Sequence, residues 1–179
     1  MNIQITPQTS LEPLSLAHTE ALYALTEANR HYLKVWLPWL DHIESSADTE
    51  NFIREAMEEL SHGGAPNFAI LFAGDICGVA GFHKIHAPSN SVSIGYWLAE
   101  DFTGRGIVTC AVRELLKIGF KEFRLNKIEV RCAEHNRQSR AIPERLGFTY
   151  EATLRECEWL YTKYVNHAVY SMLASEFDS

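Results

Sequence analysis

A strand, a glycine turn, a helix and a second strand follow one another between residues 91 and 134, and this order strongly constrains the fold. SVSIGYWLAE (91–100) is typical of a strand, and IVTCAVRELLKIGFKEF (107–123) repeats apolar residues at helical spacing. LNKIEVRCAE (125–134) predicts the second strand. Because a helix connects the two strands, we expect them to lie parallel in one sheet, as a βαβ unit.

A first helix is predicted over residues 15–33, where apolar residues recur at helical spacing and Ser15 is the expected N-cap. Pro38 interrupts the helical pattern soon afterwards, since proline disfavours helix at the residue before it. Residues 10–14 predict a short extended segment ahead of this helix.

A second helix is predicted over residues 45–64. Ser46 or Asp48 is the expected cap, because a side-chain oxygen there can accept a hydrogen bond from the first turn. Gly63 and Gly64 are expected to end the helix, since glycine is common just after a helical C-terminus.

The remaining strands have alternating or continuous apolar patterns. Residues 67–85 predict a hairpin that turns at residues 73–75, and residues 149–160 and 166–173 predict the last two strands. The sequence therefore predicts one α/β domain over residues 1–179, with a central, mixed and mostly antiparallel sheet flanked by helices.

A short helix is also predicted over residues 139–148, ended by Gly147. Pro143 has no N–H and disturbs a helix interior. We therefore expect this helix to begin late, near Ser139, so that Pro143 falls close to its first turn.

Composition and charge narrow the class of protein. With 179 residues, of which 46% are hydrophobic, the chain can bury the core of one globular domain. It has no apolar run of ~20 residues and no signal-peptide pattern, so we expect a cytoplasmic protein without a membrane span.

The net charge of −7 argues against a nucleic-acid-binding face and suits a cationic or amine partner. Neither the four cysteines nor the histidines have metal-ligand spacing, so no metal site is predicted and the cysteines are expected to be reduced.

The glycine turn, DFTGRGIVTC (101–110), places Gly104 and Gly106 on either side of Arg105 at the start of a helix. Such glycines can simply form a turn, or they can expose backbone N–H groups to a phosphate. The dinucleotide pattern GxGxxG is incomplete because Thr109 takes its third position, and the Lys-Ser/Thr of a mononucleotide loop is absent. What remains is either a plain turn or an anion site made by the amides of residues 103–108, assisted by Arg105, at the positive end of a helix dipole.

Motifs on either side of this turn resemble those of a known family. The order of IGYWL (94–98), the Gly-x-Gly turn, a strand, N-x-x-S (136–139) and ERLGF (144–148) is similar to that of the GCN5-related N-acetyltransferases. More closely, it resembles the branch that acetylates the N-termini of ribosomal proteins. The resemblance spans residues 10–173 and implies a splayed parallel strand pair, residues 93–99 and 126–133, between which acetyl-CoA enters.

The resemblance also implies which residues hold the cofactor. The family loop Gln/Arg-x-x-Gly-x-Gly/Ala cradles the pyrophosphate of coenzyme A, with Thr103, Gly106 and Val108 at its signature positions here; the first and last depart from the pattern. Backbone groups near Trp97 and Leu98 would bind the pantetheine arm. The complete expected cofactor set is Trp97, Leu98, Thr103, Gly104, Arg105, Gly106, Ile107, Val108, Asn136 and Ser139.

The same resemblance implies two catalytic side chains. Ser139 would be the general acid that protonates the leaving thiolate, and Glu158 the general base, directly or through a water. A non-catalytic role is the alternative for both residues. Ser139 can cap a helix, and Glu158 can be a solvated strand residue on the same face as Glu156. Arg105, likewise, is either a cation beside the phosphates or an exposed turn residue.

The acceptor is less constrained. Trp36, Trp39 and Tyr96 are expected to line the acceptor groove, although the two tryptophans can equally be a core plug against the sheet. An α-amine, with a pKa of about 7.7–8.0, is far more often neutral at pH 7 than a lysine amine at about 10.4, which favours a protein N-terminus. A small amine, such as a polyamine, amino acid or antibiotic, is the alternative acceptor, and a non-catalytic acyl-CoA-binding module is a second alternative. The resemblance also implies a homodimer or a higher homo-oligomer.

Overall fold

Eight strands form the sheet in the computed structural model, which describes residues 2–177. The strands are β1 (Ile3–Gln4), β2 (Thr9–Pro13), β3 (Asn67–Phe72), β4 (Asp75–Phe82), β5 (Ser91–Leu98), β6 (Lys127–Ala133), β7 (Thr149–Leu160) and β8 (Lys163–Leu173). The helices are α1 (Thr19–Ala28), α2 (Arg30–Lys34), α3 (Ser46–Ser61), α4 (Ile107–Lys117) and α5 (Arg137–Arg145). The strand order is β1-β2-β3-β4-β5-β6-β8-β7. The predicted fold class, α/β with a mixed sheet flanked by helices, is confirmed.

The described chain divides into two compact units. The first contains residues 2–81 and 96–111, and the second contains residues 82–95 and 112–177. The chain passes from one unit to the other within β4, within β5 and within α4.

The first unit contains the antiparallel strands β1 to β4. The β3–β4 hairpin turns at Ala73 and Gly74, whose φ angles are 54° and 95°, as a two-residue turn with both residues left-handed requires. This turn was predicted correctly. A cluster of buried residues packs the helices against the sheet: Leu14, Leu22, Ile53, Ala69 and Val79.

The first predicted helix is divided in two. Asn29, with φ −111° and ψ 8°, separates α1 from α2, and its side chain donates to the carbonyl of Leu25 and accepts from the N–H of Glu100. An asparagine side chain that bonds the backbone in this way competes with helical hydrogen bonds. Ser15 precedes the Leu16–His18 turn and forms its capping box with His18, as expected of an N-cap.

The second predicted helix, α3, has a different cap from the one expected. Ser45 is the N-cap, and Asp48 reaches back to the N–H of Ser45 at 2.8 Å, so that the two residues form a capping box. Neither Ser46 nor Asp48 is the cap itself. Gly63, with φ +84°, follows the end of the helix.

The second unit contains the predicted parallel pair. Its ladder pairs Ser91 to Ile94 of β5 with Lys127 to Val130 of β6, although β5 continues to Leu98 and β6 to Ala133. β8 pairs antiparallel with both β6 and β7. α4 ends at Lys117, although the sequence predicted a helix as far as residue 123. A π-helical turn, Ile118–Glu122, follows α4 directly.

The last helix begins earlier than predicted. α5 starts at Arg137 with Asn136 as its N-cap, so Pro143 lies inside the helix and not near its first turn. Pro143 cannot donate to the carbonyl of Ser139, four residues earlier, which removes one helical hydrogen bond. The proline side chain is almost completely buried, and this packing offsets the loss.

Candidate active site

The glycine turn presents an open surface of backbone N–H groups. Gly104 and Gly106 both have φ +75°, a left-handed conformation that favours glycine. A Cβ added at either position would meet no neighbouring atom within 4 Å in the described structure. Within residues 2–177, the N–H groups of residues 104–108 donate to no protein acceptor, and α4 begins at Ile107. Five donors at a helix N-terminus are therefore available to an anion.

Thr103 closes this turn. Its N–H lies 3.0 Å and its hydroxyl 2.8 Å from the carbonyl oxygen of Glu100. Both donors are therefore used inside the protein, so the available amides begin at Gly104 and not at Thr103. A direct cofactor contact by Thr103 stays a prediction.

Arg105 packs against two aromatic rings. Its guanidinium carbon lies 5.6 Å from the ring centre of Phe72 and 5.5 Å from that of Phe102, and Nη2 donates to the carbonyl of Asp101. Cation–π contacts of this kind hold the side chain in place while leaving its charge beside the turn. The expected contact of Arg105 with a phosphate stays a prediction.

The end of β5, where Trp97 and Leu98 are expected to bind pantetheine, lies very close to β4. A Cβ on Gly78 would meet the carbonyl oxygen of Trp97 at 2.2 Å, so only glycine allows this approach. The N–H of Ala99 donates to the carbonyl of Cys77 at 2.8 Å. Gly78 is a supporting residue that the sequence analysis missed; the signal for it was a glycine inside a strand pattern.

The structure brings two of the predicted residues together in the first unit. The rings of Trp39 and Trp97 lie 6.3 Å apart, tilted by 53°. Arg30 holds the turn that carries Trp39, because it donates to the carbonyl oxygens of Leu40 and Ile43. Its hydrogen bond to Glu27, partly opposed by burial, raises the pKa of the Arg30 guanidinium.

Trp36, Trp39 and Tyr96 are all half-buried, so each offers some surface to an acceptor. Nothing in the structure tests their acceptor role, which stays a prediction. A core plug against the sheet stays open as the alternative for Trp36 and Trp39, and the ring contact of Trp39 with Trp97 of β5 is consistent with it.

In the second unit, Asn136 and Ser139 occupy the first turn of α5. The Oδ1 atom of Asn136 accepts from the N–H of Ser139 at 3.1 Å, so Asn136 is the cap and Ser139 is not. Within residues 2–177 the Nδ2 amide of Asn136 donates to no protein acceptor, so it is available to a ligand. Ser139 bonds through its side chain to the thiol of Cys132; burial raises the pKa of that thiol and the Ser139 bond opposes the rise.

Glu158 lies on β7 beside His167 of β8. Its Oε2 atom is 3.1 Å from Nε2 of His167, and the side chains are 27% and 17% exposed. The predicted alternation of Glu156 and Glu158 onto one face is wrong, because β7 bulges between Leu154 and Glu158 and Glu156 has φ +47°. The sequence analysis did not predict that His167 contacts Glu158.

Within residues 2–177, no group of three or more histidine, cysteine, aspartate or glutamate side chains is arranged to hold a metal ion. In the same part of the chain, no helix is both long and apolar enough to cross a membrane. The cysteines of the described chain are free: Cys77 and Cys132 are buried, Cys110 is half-buried and Cys157 is exposed.

Comparison with known proteins identifies the family. The profile described as "Acetyltransferase (GNAT) domain" matches residues 9–149, well over half of the chain. The chain therefore belongs to the GNAT acetyltransferases. The enzyme class predicted from the resemblance, an acyltransferase that uses acetyl-CoA, is confirmed with it.

Particular relatives are similar over most of the chain. The Bacillus subtilis (strain 168) protein YdaF, provisionally named a ribosomal N-acetyltransferase, is 34% identical over 163 residues, which is 89% of this chain and 87% of YdaF. The ribosomal-protein-serine acetyltransferase of Escherichia coli (strain K12) is 27% identical over 171 residues, 96% of each chain. Among solved structures, the microcin C7 self-immunity acetyltransferase MccE, crystallised with acetyl-CoA and AMP, is 27% identical, with a TM-score of 0.89 and 94% of each chain covered. The resemblance to the ribosomal-protein branch is thus confirmed.

Proposed function

We propose that this protein transfers the acetyl group of acetyl-CoA to the N-terminal α-amine of a protein, with ribosomal proteins as the acceptor class. The open amide turn at residues 104–108 carries the proposal, because it offers donors for the pyrophosphate of coenzyme A. The names of YdaF and of the E. coli relative support ribosomal proteins as acceptors.

The chain's own residues have the chemistry that acetyl transfer needs. Acetyl-CoA supplies an activated thioester carbonyl to the acceptor amine. Backbone N–H groups near Trp97 and Leu98 would donate to the carbonyl oxygen as negative charge develops there. Glu158 would take the proton that the amine loses, and Ser139 would donate a proton to the sulfur that leaves. The proposal assigns the Nδ2 atom of Asn136 to the cofactor.

A small amine is the second candidate acceptor. It is favoured by MccE, whose name as a microcin C7 self-immunity acetyltransferase does not refer to a ribosomal protein and whose structure was solved in complex with acetyl-CoA and AMP. Acid–base groups such as Glu158 and Ser139 contribute about 10²–10⁴ in rate with either acceptor, so the catalytic residues alone do not separate the two candidates.

Release of the coenzyme A thiol separates them. The acceptors to compare are a peptide with a serine or alanine N-terminus and an internal lysine, the same peptide with its N-terminus blocked, and a panel of polyamines and amino acids. The proposal expects release with the free peptide alone. Release with the small amines alone would contradict it, and binding of acetyl-CoA without release to any acceptor would indicate a non-catalytic module.

Three further expectations belong to this proposal: a cytoplasmic location, a homodimer or higher homo-oligomer, and one N-acetyltransferase domain over residues 1–179. Cell fractionation tests the first and sedimentation equilibrium the second. Limited proteolysis tests the third, because a single domain should resist cleavage within residues 10–173 until it unfolds.

A further inference from the structure

Glu158 and His167 are diagonal neighbours on adjacent antiparallel strands. Glu158 lies opposite Val165 in the ladder, and Leu154 lies opposite His167. Residues opposite each other share a face of the sheet, and so do residues two apart on one strand. Glu158 and His167 therefore point to the same side, which permits the 3.1 Å contact between Oε2 and Nε2.

The bulge in β7 selects which glutamate takes this place. Three residues of β7, 155–157, lie between the two ladder pairs, whereas one residue of β8, Asn166, lies between them. An uninterrupted ladder from Leu154 would place Glu156 opposite Val165. The two additional residues move Glu158 into that position and leave Glu156 exposed with φ +47°.

Asn166 holds the bulge in this form. Its Oδ1 accepts from the N–H of Glu156 at 2.9 Å, and its Nδ2 donates to Oε2 of Glu134 at 2.9 Å. The N–H of Glu134 in turn donates to the carbonyl of Asn166 at 2.8 Å. The backbone that leads into Glu158 is thus tied to the end of β6 on one side and to β8 on the other.

With Glu158 as a carboxylate, the contact assigns a hydrogen to one nitrogen of His167. An ionised carboxylate only accepts hydrogen bonds, so Nε2 of His167 must be the donor. The imidazole then fixes one oxygen of Glu158 and leaves the other, Oε1, for a further donor.

We propose that His167 is the positioning residue for the general base: its Nε2–H binds Oε2 of Glu158 and so directs Oε1 at the acceptor amine. This inference rests on the proposed role of Glu158. In the reaction, the C–S bond of the thioester breaks as the new C–N bond forms, and the leaving sulfur takes a proton from Ser139. The proton that the amine nitrogen loses passes to Oε1 of Glu158, while His167 keeps its own proton. Exchange with solvent then restores Ser139 and Glu158. His167 acts through Glu158 and does not touch the reacting atoms.

Kinetics of a small set of variants test this role. His167→Ala should lower kcat about 10- to 100-fold, the effect of losing one hydrogen bond to a charged group, with little change in KM for acetyl-CoA. His167→Gln keeps an N–H at similar reach and should recover most of the lost kcat. His86→Gln changes a histidine of the β4–β5 connection and should leave kcat at the wild-type value.

A double-mutant cycle with Glu158→Gln gives the decisive comparison. If His167 acts through Glu158, adding His167→Ala to Glu158→Gln should cost no further kcat. Fully additive losses, or a His167→Gln variant as slow as His167→Ala, would overturn the positioning role. Wild-type kcat in His167→Ala would do the same.

These outcomes are distinct from failure of the proposed function. Wild-type kcat in Glu158→Gln itself would show that Glu158 is not the base, and absence of any N-terminal acetylation would refute the function. Thermal unfolding of each variant distinguishes slow catalysis from a loss of folded protein.

Discussion

Gly106→Ala separates the binding role of the glycine turn from its conformational role. The added Cβ meets no described protein atom within 4 Å, so the protein itself offers no steric obstacle. The cost of φ +75° for a residue with a Cβ is about 1–2 kcal/mol, and the smaller entropy of the unfolded alanine chain offsets about 0.4–1 kcal/mol of it. The free energy of unfolding should therefore fall by about 1 kcal/mol, a change in Tm of about 2–4 °C for a chain of this size.

Coenzyme A binding should fall much more. The methyl group would occupy the open side of the turn, where a phosphate has to approach the N–H groups of residues 104–108. Losing one or two hydrogen bonds to a charged oxygen costs about 1.5–3 kcal/mol each, which corresponds to at least about a tenfold weaker Kd. Isothermal titration calorimetry with coenzyme A measures this change, and thermal unfolding without ligand measures the change in stability.

Gly74→Ala is the matched control. Gly74 has φ +95°, its added Cβ would also meet nothing within 4 Å, and it lies in the β3–β4 hairpin. It should lose as much stability as Gly106→Ala and bind coenzyme A like the wild type. If both variants bind coenzyme A with wild-type affinity, the turn does not hold the pyrophosphate and the reasoning fails.

Three more predictions follow from single side chains. Asn136→Asp should keep the N-cap of α5 but lose the amide donor, so Tm should be retained while coenzyme A binds more weakly. Asn136→Ala should lose the cap as well, and thermal unfolding should then show a loss of about 1 kcal/mol of stability. A hydrogen bond from the Ser45 side chain, with further bonds from the N–H groups before α3, lowers the pKa of Asp48. Its stabilising effect is therefore present at neutral pH and is lost as the pH falls through the lowered folded-state pKa, so Asp48→Asn should lower Tm at pH 7 and approach the wild type only in more acidic solution, below the ordinary aspartate pKa of about 3.9. Burial raises the pKa of the Cys77 thiol to about 12, so mass spectrometry after iodoacetamide treatment at pH 8 should find the exposed Cys157 alkylated and Cys77 unmodified.

The spacing of apolar residues predicted the strands and helices well, because the side chains that an element buries recur with the period of that element. In α4, the residues at helical spacing are those that the structure buries, among them Ala111, Val112 and Leu115. In the parallel pair, Ile128 and Val130 of β6 are almost completely buried. A helix between two strands leaves few ways to pair them, so the βαβ unit was predictable from order alone.

Helix ends were predicted less well, because several residues of the right chemistry stand close together. Ser45 and Ser46 are both good caps, and the choice depends on which one leaves Asp48 three residues later to complete the box. At α5 the proline suggested a late start, but Asn136 caps early and the burial of Pro143 compensates for the lost hydrogen bond. At α3 the capping box decides which serine is the N-cap. At α5 the cap by Asn136 and the burial of Pro143 together decide where the helix begins.

The strand β7, which carries the proposed base, shows why side-chain geometry could not be predicted from the sequence. Alternation along RECEW assigns Glu156 and Glu158 to one face, and this rule holds only while the ladder is regular. The bulge depends on Asn166 of the neighbouring strand and, through it, on Glu134 after β6, so it is held by contacts between strands that the pattern around Glu158 does not show. A motif could nominate Glu158 as the base, but its pairing with His167 follows from strand register. A two-residue change in that register would present Glu156 to His167, so the bulge, as much as the glutamate itself, selects the residue that we propose as the base.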